Sequence, residues 1–241
     1  SWLSHYLGEH APGKKDLNAA VHSMHNILLA HGLSIDSLKS ENNHQIGIVL
    51  NNEYGEPIDQ NEKNIQAANL FDAIYNRWFA DAIFKGCYPQ LALNVFEPLM
   101  PQDYQSDLKI ISKPIDWLGI NYYTRSLIKS KVSEDGINYE CHRGSLKTSD
   151  MGWEFYPQGL NYFINRIHQE YDETIPIYIT ENGMANNDRI NSKGDIEDLN
   201  RIEYFQLHLQ EIIECLKKGI PIKGYFAWSL LDNYEWSFGY D

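Results

Sequence analysis

Four polar clusters in this chain each stand where a short apolar run ends. Asn51 and Asn52 follow QIGIVL, Asn121 and Tyr123 sit in DWLGINYY, and Glu181 and Asn182 close PIYITEN. KGYFAWS leads through Trp228 to Asp232, Glu235 and Trp236. A carboxylate at such a position is either a cap or a catalyst. Held at the end of a rigid strand it loses little entropy on reaching a reacting geometry, and ionised it can act as a nucleophile. Asn and Asp also begin turns by hydrogen-bonding their own backbone, which alone accounts for Asn51. That explanation accounts poorly for Glu181 and for the tryptophans.

The elements that must position these groups are legible from period. From Asp16, a candidate N-cap, residues Leu17, Ala20, Val21, Met24, Ile27, Leu28 and His31 recur at helical spacing, and Gly32 supplies a stop. QIGIVLN (45–51) is a continuous apolar run of the kind buried parallel strands show, followed by a Gly/Pro-punctuated loop. A second helix runs through Ile65, Ala68, Phe71, Ile74, Trp78 and Ala82 and stops near Gly86 and Pro89. The alternation then repeats. Strand DWLGIN (116–121) precedes a helix through Leu160, Phe163, Ile164 and Ile167, then strand PIYIT and a helix through Leu199, Ile202, Phe205, Leu209, Ile212 and Leu216 that ends at Gly219. The last strand is KGYFAWS (223–229).

Four strands interleaved with helices predict an α/β parallel sheet. In such a sheet all strand C-termini lie on one side. Chemical groups at several different strand ends fit a (β/α)8 TIM barrel, whose mouth is built by the loops after its strands. A doubly wound sheet would gather its site at one switch point, usually with a glycine-rich turn, and no GxGxxG or P-loop is present. No repeat, low-complexity segment or linker divides residues 1–241, so one domain is expected.

Composition narrows the partners. With 43% apolar and 13% aromatic residues the 241-residue chain can build a real core. A formal net charge of −13 without a dense Lys/Arg cluster makes nucleic acid and anionic membrane poor partners. The apolar runs are strand-sized, short of the roughly 20 residues of a membrane span. Cys87, Cys141 and Cys215 are scattered, which suggests neither a disulfide framework nor a metal site and fits a reducing cytoplasm.

Five stretches carry a family resemblance: GEHAPG (8–13), DWLGINYYTR (116–125), GWEFYPQGL (152–160), IYITENG (177–183) and GYFAWSLLDNYEWSFGY (224–240). In this order they resemble the β-glucosidases of glycoside hydrolase family one. The resemblance implies that Glu181 is the nucleophile of a retaining mechanism, with Tyr123 donating a hydroxyl hydrogen bond to it and Asn121 in the same network. Glu235 resembles the family's acceptor for two sugar hydroxyls, with Trp228 and Trp236 supplying an apolar wall and an indole N–H. Trp153 resembles the platform for the aglycone, and His10 with Asn51 or Asn52 would line the same outer region. His22 and His25 read as structural or solvent-facing. A carboxylate at 235 would face a sugar phosphate with like charge, so an unphosphorylated β-glucoside or short cello-oligosaccharide is the implied substrate. No metal or organic cofactor is implied.

The same resemblance implies that the chain supplies roughly the C-terminal half of the barrel, strands five to eight. The family's general acid belongs to an Asn-Glu-Pro motif upstream of the stretch matching 1–13, and more of the barrel is expected before Ser1 and after Asp241. The missing N-terminal half, in the same or a separate chain, is thus an expected partner. Glu9 and Glu53 match no catalytic position and read as surface carboxylates. A non-catalytic, sugar-binding or receptor-like member of the fold is the alternative, as is an inactive fragment lacking the acid; retention of Glu181, Tyr123 and Glu235 argues for the enzyme.

Overall fold

The computed structural model describes residues 1–41, 44–236 and 238–240. Ser237, within the motif expected to bind the sugar, and Asp241 lie outside the described residues. In chain order the elements are α1 (Leu17–Glu41), β1 (Gly47–Pro57), α2 (Glu62–Asp72), α3 (Trp78–Lys85), α4 (Gln90–Phe96) and α5 (Tyr104–Ile111). Then come β2 (Trp117–Ser130), β3 (Tyr139–His142), α6 (Pro157–Arg166), β4 (Ile177–Asn182), α7 (Leu199–Lys217) and β5 (Ile222–Ala227). The sheet order is β1-β2-β4-β5, and each of these neighbours pairs in parallel. β3 pairs antiparallel with the far end of β2, an addition that the sequence rhythm does not announce.

One face of the sheet is covered by helices. Leu50, Leu118, Ile120, Tyr122, Ile177 and Ile179 are buried there against Phe71, Ile74, Leu160, Phe163 and Ile164. The other face is lined by alternate residues: a Cβ added to Gly119 would sit 2.8 Å from side-chain atoms of both Val49 and Thr180, and one added to Gly224 would sit 2.8 Å from the Tyr178 ring. This face is partly open, with Val49 and Phe226 exposed.

Three expectations are corrected here. First, α1 does not stop at Gly32 but continues to Glu41. Gly32 is buried, and a Cβ there would overlap the Ile110 carbonyl oxygen and lie 2.5 Å from its carbon. Glycine at 32 lets α1 lie against the end of α5; it is not a terminator. Asp16 does cap the helix, its Oδ1 accepting from Ala19 N–H at 3.1 Å.

Second, β1 and β2 run well past their apolar cores, to Pro57 and Ser130, because their polar extensions pair with each other beyond a register shift at 52/54. α4 and α5, between Pro89 and β2, are likewise absent from the sequence reading. At seven and eight residues they are too short to declare a period.

Third, of the stripe expected in α7 only Ile212 is buried. Leu199, Ile202, Leu209 and Leu216 are exposed, while Tyr204, His208, Ile212 and Cys215 are buried toward the sheet. The aliphatic seam does not mark the sheet-facing side; the i, i+4, i+8 stripe that does is half polar. The helix over α2 and α3 holds as expected: Ala68, Phe71, Ile74, Trp78 and Ala82 are buried, and Gly86 ends it at φ 62.

Candidate active site

The strand-end groups fall into one row. Asn51 of β1 is in register with Asn121 of β2, and Asn121 with Glu181 of β4. That last pairing depends on a bulge. Ile179 opposes Ile120, so strict alternation would set Thr180 opposite Asn121 and turn Glu181 toward the helices. An extra residue in β4 instead brings Glu181 opposite Asn121. The side chains show the consequence. Tyr123 Oη donates to Glu181 Oε2 at 2.6 Å, and Thr180 Oγ1 donates to Asn121 Oδ1 at 2.7 Å. Asn182 turns the other way and is fully buried.

Burial, and then the hydrogen bond to the Glu181 carboxylate, push the Tyr123 phenol well above its usual range. It therefore keeps its proton and serves as a donor to the carboxylate throughout the neutral range. The field of Glu235 acts on the same hydroxyl. Glu235 is held in a tight turn: its N–H donates to Gly239 O at 2.8 Å, the Gly239 N–H returns to Glu235 O at 2.7 Å, and Gly239 has φ 73.

Trp228 reaches the site through backbone. Its N–H donates to Asn182 O at 2.9 Å, and the Trp228–Ser229 peptide is cis. A Cβ at Gly183 would overlap the Trp228 carbonyl oxygen and sit 2.9 Å from its carbon, so only glycine fits after Glu181–Asn182. Trp153 brings its ring to 5.3 Å from that of Tyr123. Its loop is anchored by the next residue: buried Glu154 accepts from Arg125 Nε at 2.8 Å and from Leu146 N–H at 2.7 Å.

Other predicted residues make no side-chain hydrogen bond to Glu181 among the described residues. The Asn51 amide donates to Tyr75 Oη at 3.2 Å, and Asn52 bonds Asn76 at 3.4 Å. Trp236 is 76% exposed. His10 is half-buried, and no side-chain hydrogen bond ties it to the Glu181 group among the described residues. Glu9 is exposed, as expected, but Glu53 is not a free surface carboxylate. Ser126 Oγ donates to it, and desolvation raises its pKa despite that bond. His25 is structural: it is 1% exposed, with Nδ1 bonded to Tyr88 Oη at 2.8 Å and Nε2 to Asp107 at 3.0 Å. Among the described residues no group of three or more His, Cys, Asp or Glu is placed to hold a metal ion, and no helix is long and apolar enough to cross a membrane.

Sequence reasoning missed Thr180, Glu154, Tyr204 and Tyr225. Tyr204 and Tyr225 both bond Asn182, at 3.1 and 2.8 Å. The available signal was Asn182 itself, an amide directly after an apolar strand whose burial demands partners.

The chain resembles known proteins over nearly its whole length. A 1,4-beta-D-glucan glucohydrolase of Thermotoga neapolitana is 38% identical over 240 residues, 99% of this chain and 56% of the relative. A 6-phospho-beta-galactosidase of Clostridium acetobutylicum is 34% identical, over 98% of this chain and 56% of its own length. Among solved structures, the family 1 β-glucosidase of Thermotoga maritima in complex with isofagomine lactam superposes with a TM-score of 0.93 at 36% identity, over 99% of this chain and 54% of that one. The GH1 β-glucosidase of Exiguobacterium antarcticum B7 gives 0.92 at 40% identity, over 99% and 54%. The chain thus spans about half the length of the curated relatives it matches, and its parallel sheet matches part of their (β/α)8 barrel. The family model described as Glycosyl hydrolase family 1 matches residues 1–241, and the chain belongs to that family.

Proposed function

We propose that this chain is the nucleophile-bearing half of a retaining β-glucosidase. The observation that carries the reading is the 2.6 Å hydrogen bond from Tyr123 to Glu181 at the end of β4. A hydroxyl that stays protonated favours the ionised carboxylate and holds one of its oxygens, leaving the other free to attack.

In the first step a Glu181 oxygen bonds to the anomeric carbon as the bond from that carbon to the aglycone oxygen breaks. A general acid gives that oxygen its proton. In the second step water attacks the same carbon, its proton passes to the former acid, and Glu181 leaves as a carboxylate. The acid comes from the part of the relatives' length that this chain does not span, in a complementary half joined to it as one polypeptide or two. Retaining chemistry sets the two carboxyl groups about 5 Å apart.

Glu235 accepts sugar hydroxyls, Trp228 and Trp236 flank the glycone, and Trp153 platforms the aglycone, with Asn121 supporting the Glu181 network and His10 and Asn51 lining the outer region. Because some relatives are 6-phospho-β-galactosidases, the carboxylate at 235 decides the substrate class. It repels a sugar phosphate, so the substrate is an unphosphorylated β-glucoside or short cello-oligosaccharide. Three free, scattered cysteines favour a reducing compartment such as the cytoplasm.

The test is covalent capture with a 2-deoxy-2-fluoro-β-glucosyl fluoride. Its leaving group departs without an acid, and the fluorine slows the second step. The assembled enzyme should gain one fluoroglucosyl mass, mapped to Glu181. Active enzyme that is labelled on another residue, or not at all, overturns the assignment. Without its complementary half the 241-residue chain should not turn over an aryl glucoside, and robust hydrolysis by it would remove the need for a second half.

A further inference from the structure

We infer that Tyr204 of α7 is a positioning residue for the Tyr123–Glu181 pair, its hydroxyl tying the backbone of the donor's strand to the residue that follows the nucleophile. The inference rests on the reading of Glu181 as nucleophile.

Glu181 sits where the sheet is least able to hold it. The β2–β4 ladder shifts register at Ile120/Asn121, and the β4–β5 ladder shifts between Ile179 and Asn182. The regular ladder is therefore broken on both edges of the strand at the one position where geometry matters most. Side chains take its place. Tyr204 Oη donates to the carbonyl of Tyr123 at 2.9 Å and accepts from Asn182 Nδ2 at 3.1 Å. The second Asn182 N–H goes to Tyr122 O at 2.7 Å, and Asn182 Oδ1 accepts from Tyr225 Oη at 2.8 Å. Every hydrogen of the Asn182 amide is used, and each partner belongs to β2, β5 or α7.

The Tyr204 ring is itself clamped. It is 2% exposed, stacked on His208 at 3.9 Å, and edge-on to Phe155 at 5.1 Å. The hydroxyl thus joins β2 behind Tyr123 to β4 beyond Glu181, and the ring meets the loop of Trp153 at Phe155. A packed ring bearing one hydroxyl can fix a bulged strand because it loses no rotamer freedom on reaction. Titratable groups bearing on the Tyr123 hydroxyl are Glu181, Tyr204 and Glu235.

The experiment uses the assembled enzyme, the fluoroglucosyl fluoride and an aryl β-glucoside. Tyr204→Phe keeps the ring and removes the tie. The labelling rate and kcat/KM should each fall roughly tenfold, and the acid limb of kcat/KM, which reports ionisation of the nucleophile, should move to higher pH. In a Tyr123→Phe background the same change should cost less than about twofold, since there is no donor left to position. A Tyr204→Phe enzyme with the parental labelling rate and pH profile overturns the inference, whatever its melting temperature, and so do fully additive losses. If that variant fails to fold, Tyr225→Phe decides by loosening the same Asn182 amide: a raised acid limb supports the inference and an unchanged one overturns it. Failure to label Glu181 in the parent would instead refute the nucleophile assignment.

Discussion

Gly32→Ala tests the packing of α1 on α5, and its sign is diagnostic. Position 32 is buried within a continuing helix. If that face were open, alanine would stabilise the helix by about 1 kcal/mol. The structure leaves no room. The new methyl would meet the Ile110 carbonyl and would lie 2.9 Å from Ile111 N, all backbone atoms that cannot rotate aside. The two helices would have to part by about 1 Å, loosening Met24, Leu28 and Ile35 on the same stripe of α1 and Ile111 on α5. Overpacking of this kind costs about 3 kcal/mol at the upper end of its usual range, and the propensity gain offsets about 1 of it. A net loss of about 2 kcal/mol is expected by urea unfolding of the assembled enzyme. Gly219→Ala is the comparison, because Gly219 has φ 83 and nothing within 4 Å of an added Cβ. Only left-handed backbone strain of about 1 kcal/mol applies there. A Gly32→Ala protein as stable as its parent would refute the close approach.

Three further outcomes follow from the site and its surroundings. Tyr123→Phe removes a charge-assisted hydrogen bond worth about 1.5–3 kcal/mol, so kcat/KM on an aryl β-glucoside should fall about 10- to 150-fold; a loss under threefold would show that the donor is dispensable. Burial lowers the His208 pKa to about 4 from 6.5, so the unfolded chain binds a proton that the folded one refuses. Stability should therefore fall as pH drops from 6.5 towards 4, by about 3 kcal/mol from this fully buried group. His208→Phe, which keeps a ring against Tyr204, should flatten that part of the stability–pH curve, and an unchanged slope would locate the proton uptake elsewhere. Glu53 has the opposite sign: its raised pKa gives stability that is full below the unfolded value and is lost as pH rises through the folded one. Glu53→Gln should accordingly be at least as stable as the parent at pH 7, and marked destabilisation there would show that the charged form is the one the fold prefers.

The sequence alone determined the layers and the chemistry on offer. The runs ending in Leu50, Ile120, Ile179 and Ala227 are continuous and apolar because both faces of a parallel strand are usually covered. Their period separates them from the helices between, and polar groups at four strand ends point to one rim. What it could not determine is which way those groups face. By alternation, Glu181 shares a face with Ile177 and Ile179 and belongs under the helices; only the bulge in β4 turns it toward Tyr123 and sends Asn182 inward instead. Nor does a helical pattern show that Gly32 is a contact point, that Glu53 is desolvated, or that α7 turns Tyr204 and His208 toward the sheet rather than its leucines. The first and last of these are decided by the arrival of a residue distant in sequence: Ile110 at Gly32, and Asn182 at Tyr204. Periodicity encodes a residue's relation to its own element, whereas register, close approach and the partners of a buried polar group exist only once two elements have met.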